Sequence, residues 1–351
     1  MTQKNSKIGG VRKRKNFGRP TISDVAAKVG VSSITVSRAL RDPNKVSQKL
    51  RTRIAEVIEE INYIADPNAQ ALASARTRII GVVIPSLSNH VFSEVLKGIY
   101  DRVEGTDYRI LIGNSRYSEA EEERLVRLFI GQRAEALIIT GIDQTQTTRK
   151  LLEKAHCPVV QIMEYTSEPV DMLVGFDHGL AAQQLVQHLI DQGFQRIASI
   201  NAYMDPRVKR RMQAFQSQLK ENGLYDADIQ MSTDERPSVS EGKALAMKLL
   251  KQHPDVDAIF CGNDDLALGS LAAGLELGFD VPEQLGIAGF HDLEFMQAVH
   301  PSLTSIKTFR YEMGAQAMDM AIDSIEGELV VEKIRNIGYE LVTRDSTLKI
   351  K

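Results

Sequence analysis

Cysteine is scarce and long apolar runs are missing from this 351-residue sequence. Two cysteines, Cys157 and Cys261, cannot form a disulfide framework and suit a reducing cytoplasm. No stretch of 18 apolar residues occurs, so we expect no membrane-spanning helix. The first twenty residues lack the apolar segment of a secretory signal. These features argue against a disulfide-rich secreted domain or a membrane protein, and they predict a cytoplasmic protein.

Motifs for catalysis and metal binding are also missing. The chain has no G-x-x-x-x-G-K phosphate loop, no G-x-G-x-x-G after a strand, no H-E-x-x-H and no cysteine pair for zinc. Cys157 follows His156, but its position just before Pro158 favours a buried structural thiol over a nucleophile. The sequence therefore predicts a binding protein that uses no cofactor or metal and is not an enzyme.

Acidic residues are few at the start of the chain. Residues 1–78 contain 16 Lys and Arg against 6 Asp and Glu, a net charge of +10, whereas the other 273 residues carry −13. Residues 1–20 hold seven basic side chains and no acidic one, which predicts a disordered tail, either simply solvated or acting as an electrostatic arm on DNA. A basic head on an acidic body predicts that the head binds a polyanion.

The apolar spacing of residues 21–66 predicts three short helices. Thr21 can cap the first helix, Gly30 can supply a left-handed turn, and Ser32 can cap a second helix over residues 33–40. A third helix begins near Ser47. We expect the inward faces of the second and third helices to be formed by Val36, Ala39, Leu40, Leu50, Ile54, Val57, Ile58 and Ile61. This pattern predicts a helix-turn-helix unit, with a generic three-helix bundle as the alternative.

The outer face of the second helix has the chemistry to read DNA. Arg38 can donate two hydrogen bonds to guanine, and short neighbours allow close approach to the major groove. Hydroxyls and Lys45 can bind phosphates, which fix the register. The predicted DNA-binding residues of the head are Thr21, Ser32, Ser33, Ile34, Ser37, Arg38, Lys45 and Ser47.

Apolar runs alternate with helical stretches from residue 79 onward, which predicts buried parallel sheets in an α/β body of two doubly wound lobes. A ligand would bind at the carboxyl ends of the strands, in the cleft between the lobes. The predicted strands are residues 79–84, 109–112, 136–139, 159–162, 172–174, 196–200, 229–231, 258–261 and 285–288.

The segment TISDVAAKVGVSSITVSRAL, residues 21–40, resembles the DNA-binding signature of the LacI-type (lactose and galactose repressor) family, and the resemblance continues over nearly the whole chain after the basic tail. The long extension before Thr21 departs from the family pattern. The resemblance implies a homodimeric transcription regulator, in most cases a repressor, that binds double-stranded operator DNA, with Ser33, Ile34 and Arg38 reading bases. It also implies a periplasmic-binding-protein-like body.

The resemblance also divides the chain. Residues 67–78 would form a hinge helix in the minor groove with Leu72 as the wedge, the alternative being a flexible linker. In the family the chain crosses between the lobes three times. We therefore place the first lobe at about 79–175 and 304–335, and the second at about 176–303 and 336–351.

Several polar residues follow the predicted strands, where the residues of a ligand pocket belong. Arg211 and the pair Asn263-Asp264 match positions that bind ligands in the family, although Asn263 alone also suits a helix cap. The predicted effector-binding residues are Ser86, Asn89, Phe92, Glu164, Arg211, Asn263, Asp264 and His291.

His291 stands where sugar-responsive relatives usually have aspartate, in the string Gly289-Phe-His-Asp292. Histidine can donate a hydrogen bond or carry positive charge, and with Arg211 it would favour a carboxylate. This string, with residues 85–89 and 174–177, resembles the gluconate-utilisation repressors of the family. We therefore expect a sugar acid such as gluconate, idonate or ketogluconate to be the small-molecule effector. Alternatives are a neutral sugar with His291 in a supporting position, an activator of the same family, a solute-binding protein or an enzyme.

Overall fold

The computed structural model describes residues 19–65 and 76–349, and the chain divides into two units, residues 1–77 and residues 78–351. The predicted basic tail before residue 19 and most of the predicted hinge, including Leu72, lie outside the described residues.

The first unit is built from three helices around a small apolar core. They are α1 (Ile22–Val29), α2 (Ser33–Arg41) and α3 (Gln48–Glu60), with a single 3₁₀ turn at Pro43–Lys45. Its core consists of Val25, Ala26, Val36, Ala39, Ile54 and Val57. Gly30 has a φ of 81° and its N–H donates to the carbonyl of Ala26, so it forms the left-handed turn that sends the chain into α2. The helix-turn-helix prediction is confirmed.

Two predictions about the inward face need adjustment. Leu40 is 39% exposed, because it lies at the edge of the α2 stripe that Val36 and Ala39 direct into the core. Leu50, Ile58 and Ile61 are half-buried and pack against the core from its rim.

The second unit contains the remaining helices and all the strands of the described chain. The helices are α4 (Val91–Val103), α5 (Glu119–Gly131), α6 (Gln146–Glu153), α7 (His178–Asp191), α8 (Pro206–Glu221), α9 (Val239–Gln252), α10 (Asp264–Glu276), α11 (Phe295–Ala298) and α12 (Arg310–Glu326). The strands are β1 (Ile79–Ile84), β2 (Arg109–Asn114), β3 (Ala136–Thr140), β4 (Val159–Ile162), β5 (Met172–Gly175), β6 (Ile197–Ala202), β7 (Gln230–Thr233), β8 (Ala258–Cys261), β9 (Gly286–His291), β10 (Thr304–Thr308), β11 (Ile334–Asn336) and β12 (Tyr339–Val342).

Two six-stranded sheets form the two lobes of this unit. Their strand orders are β11-β5-β4-β3-β1-β2 and β12-β10-β9-β8-β6-β7, and every pairing is parallel except that of β10 with β12. In each sheet the order reverses beside the first strand, between β1 and β3 and between β6 and β8, as in doubly wound folds. The predicted α/β class with two parallel-sheet lobes is confirmed.

The chain crosses between the lobes after β5, after β10 and after β11. We predicted the second crossing at about residue 304, but β10 pairs with β9 from Thr304 to Lys307, so this crossing comes at Phe309. The sequence of β10, TSIKT, has too little apolar character to predict a strand, yet four of its five residues are buried. The crossings bring Phe176 against Phe290 with ring centroids 6.4 Å apart, within an apolar cluster that both lobes share.

Candidate functional site: DNA-facing helix and interlobe chamber

Helix α2 presents the predicted base-reading side chains. Ile34 is 72% exposed in the first turn, and Arg38 is exposed one turn later. Within the described residues the Arg38 side chain makes no hydrogen bond or ion pair, so its guanidinium can bind a partner molecule. Ser33 and Ser37 are half-buried beside them, and the Ser33 hydroxyl lies 3.4 Å from that of Ser23.

The predicted phosphate-binding residues sit at helix ends. The Ser32 hydroxyl accepts the Thr35 N–H at 3.2 Å and caps α2, while the Thr21 hydroxyl donates to Asp24 at 2.8 Å. Ser47 is exposed at the start of α3. Lys45 pairs with Asp42 at 2.7 Å but is 72% exposed, and such a surface pair costs little to break. Because Thr21 and Ser32 are engaged as caps, Lys45 and Ser47 are the better placed of the set.

Residues from both lobes line a cleft at the carboxyl ends of the strands. Its outer cavity has a volume of about 650 Å³ and includes residues that follow β1, β2 and β3 together with the start of α8. A side cavity of about 360 Å³ is lined by Ser86, Asn89, Tyr117 and Arg236, among others. Between them lie two small cavities of about 40 and 30 Å³, which we call the inner chamber. Each has room for two or three water molecules.

Four of the predicted effector-binding residues line the inner chamber. Asn89 and His291 contact both of its cavities, while Phe92 and Asn263 each line one. The Asn263 side chain also accepts the Leu266 N–H at 3.0 Å and so caps α10. Its amide nitrogen has no partner in the described chain and is the group available to a ligand.

Arg207 and Asp205 are chamber residues that the sequence analysis missed. Asp205 caps α8 by accepting the N–H groups of Arg207 and Val208 at 2.9 and 3.0 Å, and its second carboxylate oxygen accepts from the Arg207 guanidinium at 2.9 Å. The guanidinium lies 5.9 Å from the centre of the Phe92 ring in the other lobe. One terminal nitrogen of Arg207 is buried without a hydrogen-bond partner among the described residues.

Arg211 lies one helical turn further along α8 and is 4% exposed. Its terminal nitrogen lies 3.1 Å from Nε2 of His291, and its guanidinium stacks 4.4 Å from the Phe290 ring centre. No carboxylate of the described body forms an ion pair with it. Burial lowers the pKa of Arg211 to about 10, since the charged form is poorly solvated there.

Of the two roles that the sequence leaves open for His291, donating a hydrogen bond and carrying positive charge, its burial disfavours the charged one. Burial, aided by Arg211 and Arg310, lowers its pKa well below 6.5. A guanidinium can only donate, so Nε2 of His291 accepts from Arg211 and the proton sits on Nδ1, 3.3 Å from the Thr308 hydroxyl. The positive charge at this position therefore belongs to Arg211.

A second buried histidine completes the chamber wall. His178 is 1% exposed, and its Nε2 lies 2.9 Å from the carbonyl of Met163, to which it donates. Its Nδ1 is buried without a partner in the described structure. Burial, with Arg211 as the second cause, lowers the pKa of His178 well below 6.5. Nδ1 is thus an acceptor that suits a hydroxyl.

Three predicted residues have other partners. Glu164 lies outside the chamber and binds Arg210 at 2.9 Å, an interlobe ion pair that also includes Asp143. Burial raises the pKa of Glu164 to about 7 although Arg210 opposes this. Asp264 is fully buried, and its oxygens accept from the Ser305 hydroxyl at 2.7 Å and the Leu293 N–H at 2.6 Å. It fixes the loop after β9 and does not face the chamber, because α10 directs it under that loop. Ser86 lines the side cavity, where its hydroxyl accepts the Asn89 N–H at 3.1 Å.

Backbone strain is concentrated at this cleft. Six of the nine non-glycine residues with positive φ in the described chain lie there, including Tyr117 at 60°, Tyr203 at 43° and His291 at 108°. The others are Arg116, Met163 and Asp292. Such conformations cost of order 1–3 kcal/mol each and persist where surrounding structure enforces them, often at ligand sites.

Sequence signals for the missed residues existed. Asp205-Pro206 directly after β6 is a strong helix-start pattern, which places Arg207 in the first turn beside the strand ends. Tyr117 follows β2 just as Asn89 follows β1. The rule that residues after the carboxyl end of a strand line the ligand site, which predicted Asn89, therefore also applies to Tyr117.

Comparison with known proteins decides the family. The description "Bacterial regulatory proteins, lacI family" matches residues 21–66, and "Periplasmic binding protein-like domain" matches residues 186–347. The HTH-type transcriptional regulator GntR of Pseudomonas aeruginosa is 37% identical over 94% of this chain and 96% of its own. The chain belongs to the lacI family.

Solved structures of lacI-family regulators share the fold. A transcriptional regulator of the family from Silicibacter pomeroyi has a TM-score of 0.89 at 32% identity, covering 94% of this chain and 100% of the other. The Lac repressor dimer bound to operator and the anti-inducer ONPF has a TM-score of 0.78 at 26% identity, with the same coverage. This lacI-family protein is a DNA-binding transcriptional regulator, and the lacI-family match covers the unit that contains α2. Across residues 19–65 and 76–349, no helix is both long and apolar enough to cross a bilayer.

Proposed function

We propose that this regulator is a repressor of sugar-acid catabolic genes and that a sugar acid such as gluconate releases it by binding in the inner chamber. The observation that carries the proposal is the buried, unpartnered N–H of Arg207 at a chamber that also contains neutral His178 and His291. Buried donors are rarely left unpaired, so a ligand acceptor is the simplest partner.

The charge balance of the chamber favours an anion. Arg207 has Asp205 as its counterion, whereas Arg211 contacts a neutral imidazole and an aromatic face, forms no ion pair in the described body and feels Asp205 only through its longer-range charge. A buried cation without a carboxylate is costly, and a ligand carboxylate would offset that cost. Arg207 can donate to this carboxylate in a fork, while Asn89, Asn263 and His178 offer partners to hydroxyls. A neutral sugar would supply the hydroxyl contacts but leave the charge uncompensated.

On the DNA side, the proposal assigns base contacts to Ser33, Ile34 and Arg38. Lys45 and Ser47 are proposed to make the main phosphate contacts. Ser37 and the two capping residues, Thr21 and Ser32, are proposed to contribute less to phosphate binding. Leu72 is proposed as the wedge that opens a base step. A homodimer would then bind half-sites about one helical turn apart. The protein is proposed to act in the cytoplasm, where its operator lies, and as a sensor and not an enzyme.

Coupling between effector and operator requires a ligand that prefers one arrangement of the lobes. The chamber is lined from both lobes, by Asn89 and Phe92 on one side and Arg207 and His291 on the other. A ligand held by both sets shifts the interlobe angle. That shift is proposed to separate the hinge segments of the two subunits and weaken operator binding.

Calorimetric titration of the full chain with gluconate and with glucose tests the effector. We expect gluconate to bind and glucose to bind much more weakly. Arg207→Gln should weaken gluconate roughly 10–100-fold, because a charge-assisted hydrogen bond contributes about 1.5–3 kcal/mol, and Arg207→Lys should restore only part of the loss.

Arg149→Gln is the matched control. Arg149 pairs with Glu153 on the surface of α6, remote from the chamber, so its loss should leave gluconate affinity unchanged. Tight binding of glucose with no binding of gluconate would overturn the sugar-acid assignment. Gel shifts with and without gluconate then test its effect on operator binding, and stronger operator binding with gluconate would contradict release.

A further inference from the structure

The Tyr117 side chain forms the partition of the cleft. It lines the outer cavity, the side cavity and both small cavities of the inner chamber, a property that no other residue shares in the described cleft. Its hydroxyl accepts the Asn89 amide N–H at 3.3 Å, and its ring lies 4.8 Å from that of Tyr203 across the cleft. Tyr117 thus occupies an amide that a ligand hydroxyl would need.

The inner chamber is too small for a sugar acid while this ring is in place. Its cavities of about 40 and 30 Å³ each hold two or three waters, whereas gluconate has 13 non-hydrogen atoms. The outer cavity of about 650 Å³ is lined by the same ring, together with Asp205, which also borders both small cavities. Moving the ring is therefore the shortest way to join the polar groups of the chamber to space large enough for a ligand.

The backbone at this point is held in a strained state on both sides of the cleft. Arg116 and Tyr117 have φ values of 54° and 60°, and Tyr203, whose ring contacts that of Tyr117 at a tilt of 53°, has a φ of 43°. Positive φ is uncommon for residues with a side chain, and two in succession direct the Tyr117 ring into the cleft. A backbone rearrangement that takes Arg116 and Tyr117 out of the positive-φ region would release this strain and favour movement of the Tyr117 ring out of the cleft.

We propose that Tyr117 is a plug that the effector must displace, and that it determines the size of effector the chamber admits. The ring occupies the volume and the Asn89 amide that the effector takes over, and its contact with Tyr203 holds the lobes together until then. The inference rests on the proposed function for the position of the effector in the inner chamber and for the choice of gluconate as the probe.

Calorimetry on the full chain distinguishes a Tyr117 that the effector displaces from a Tyr117 that binds the effector directly. Tyr117→Ala should bind gluconate at least fivefold more tightly, because no ring has to move. It should also bind lactobionate, a gluconate carrying a galactosyl group, which we expect the natural chain to exclude. Tyr117→Phe should gain about two- to fivefold by losing the bond to Asn89. Tyr100→Ala, at a tyrosine 48% exposed on α4, should change neither affinity. Unchanged or weaker gluconate binding in Tyr117→Ala, with circular dichroism and melting temperature preserved, would overturn the proposal.

A second readout needs no effector and separates this inference from the proposed function. The chain has no tryptophan, so Tyr117→Trp and Tyr100→Trp each introduce a single fluorophore. Without ligand, acrylamide should quench the indole at position 117 at least twofold less than that at position 100, and gluconate should increase its quenching. Equal quenching at the two positions overturns the plug whatever the ligand is. Shielding at position 117 with no calorimetric signal for any sugar acid supports the plug and rejects the sugar-acid effector.

Discussion

At the scale of one residue, Arg211 is a buried positive charge in the binding site that has no ion-pair partner in the described body. It is a buried cation held by an imidazole acceptor and an aromatic ring, and its charge adds to the effect of burial in lowering the pKa of His291. Because burial lowers the pKa of His178 well below 6.5, its Nδ1 offers an acceptor to a ligand hydroxyl while the arginines remain donors. The chamber therefore separates recognition of an acid group from recognition of hydroxyls.

Arg38 provides the test of sequence reading by the head. Arg38→Ala should lose about 1–3 kcal/mol of discrimination at one base pair of the operator, because a bidentate contact to guanine is removed. Gel shifts on operators mutated one base pair at a time measure this.

Lys45→Ala is the contrasting variant. It should weaken binding to all DNA sequences alike, since Lys45 is proposed to contact only the DNA backbone. The slope of log affinity against log salt concentration should fall by about 1 in magnitude. If Arg38→Ala also weakened every sequence equally, Arg38 would be a phosphate contact and the assignment would be wrong.

Single residues were predictable where one rule determined them. Asn89, Phe92 and Asn263 lie in the loop or first helical turn that follows a strand, and His291 ends β9, so the parallel sheets bring them to one edge. Asp264 follows a strand as well, yet α10 turns it towards Ser305. The direction of a side chain at a helix start depends on the loop packed over it, and no local pattern of residues specifies that.

At the scale of elements, helices α4 and α12 pack with their backbones in contact. A Cβ atom placed on Gly98 would lie 2.1 Å from the carbonyl oxygen of Tyr311, and one on Gly314 would lie 2.0 Å from that of Val95. The absence of a side chain at each glycine therefore lets the two helices approach closely. This contact packs α12 against the first lobe, which the chain re-enters after β10.

Gly98→Ala and Gly314→Ala should each destabilise the body by about 1–3 kcal/mol or more, because the methyl group meets backbone that cannot move away cheaply. Urea unfolding of the full chain measures the change in the free energy of unfolding. Gly131→Ala is the control, since a Cβ there meets nothing within 4 Å and its φ is not positive. That variant should be neutral or slightly stabilised. Equal effects at Gly98 and Gly131 would show that the contact between α4 and α12 is loose.

Most elements followed from apolar periodicity, and the exceptions share a cause. The nine strands β1 to β9 were predicted from runs rich in apolar residues, whereas β10, β11 and β12, which mix polar with apolar residues, were not predicted. Their strand state comes from pairing with a sheet already present, which is a tertiary effect. The position of the second crossing depended on β10 and was misplaced for that reason.

At the scale of the whole molecule, the acidic body contains carboxyl groups that ionise reluctantly. Burial raises the pKa of Glu122, Glu164 and Asp264 to about 7 in each case. Glu122 lies beside Glu119 and Asp143, which raise its pKa further, while a hydrogen bond from Gln144 and the charge of Arg207 oppose them.

Glu122→Gln isolates one of these groups. A carboxyl whose pKa is raised in the folded state binds its proton more tightly there than in the unfolded chain. Its stabilising effect is complete below about pH 4.5 and is lost as the pH rises to about 7. The natural chain should thus lose up to about 3 kcal/mol relative to Glu122→Gln across this range. Thermal melts of both proteins between pH 4.5 and pH 8 measure the difference, and a difference independent of pH would contradict the prediction.

The segment around Ser346 and Thr347 has a consequence for how the protein is made. Both residues are fully buried in the second lobe, where Ser346 bonds to Ile287 and Thr304, and Thr347 to Thr304 and His188. A growing polypeptide leaves the ribosome from its N-terminal end, so the three-helix head can fold long before this segment is translated. The sensor can be completed only once it emerges. A premature stop codon shortly before residue 346 would therefore yield a DNA reader attached to an unfinished lobe, and cellular proteases would meet that lobe first.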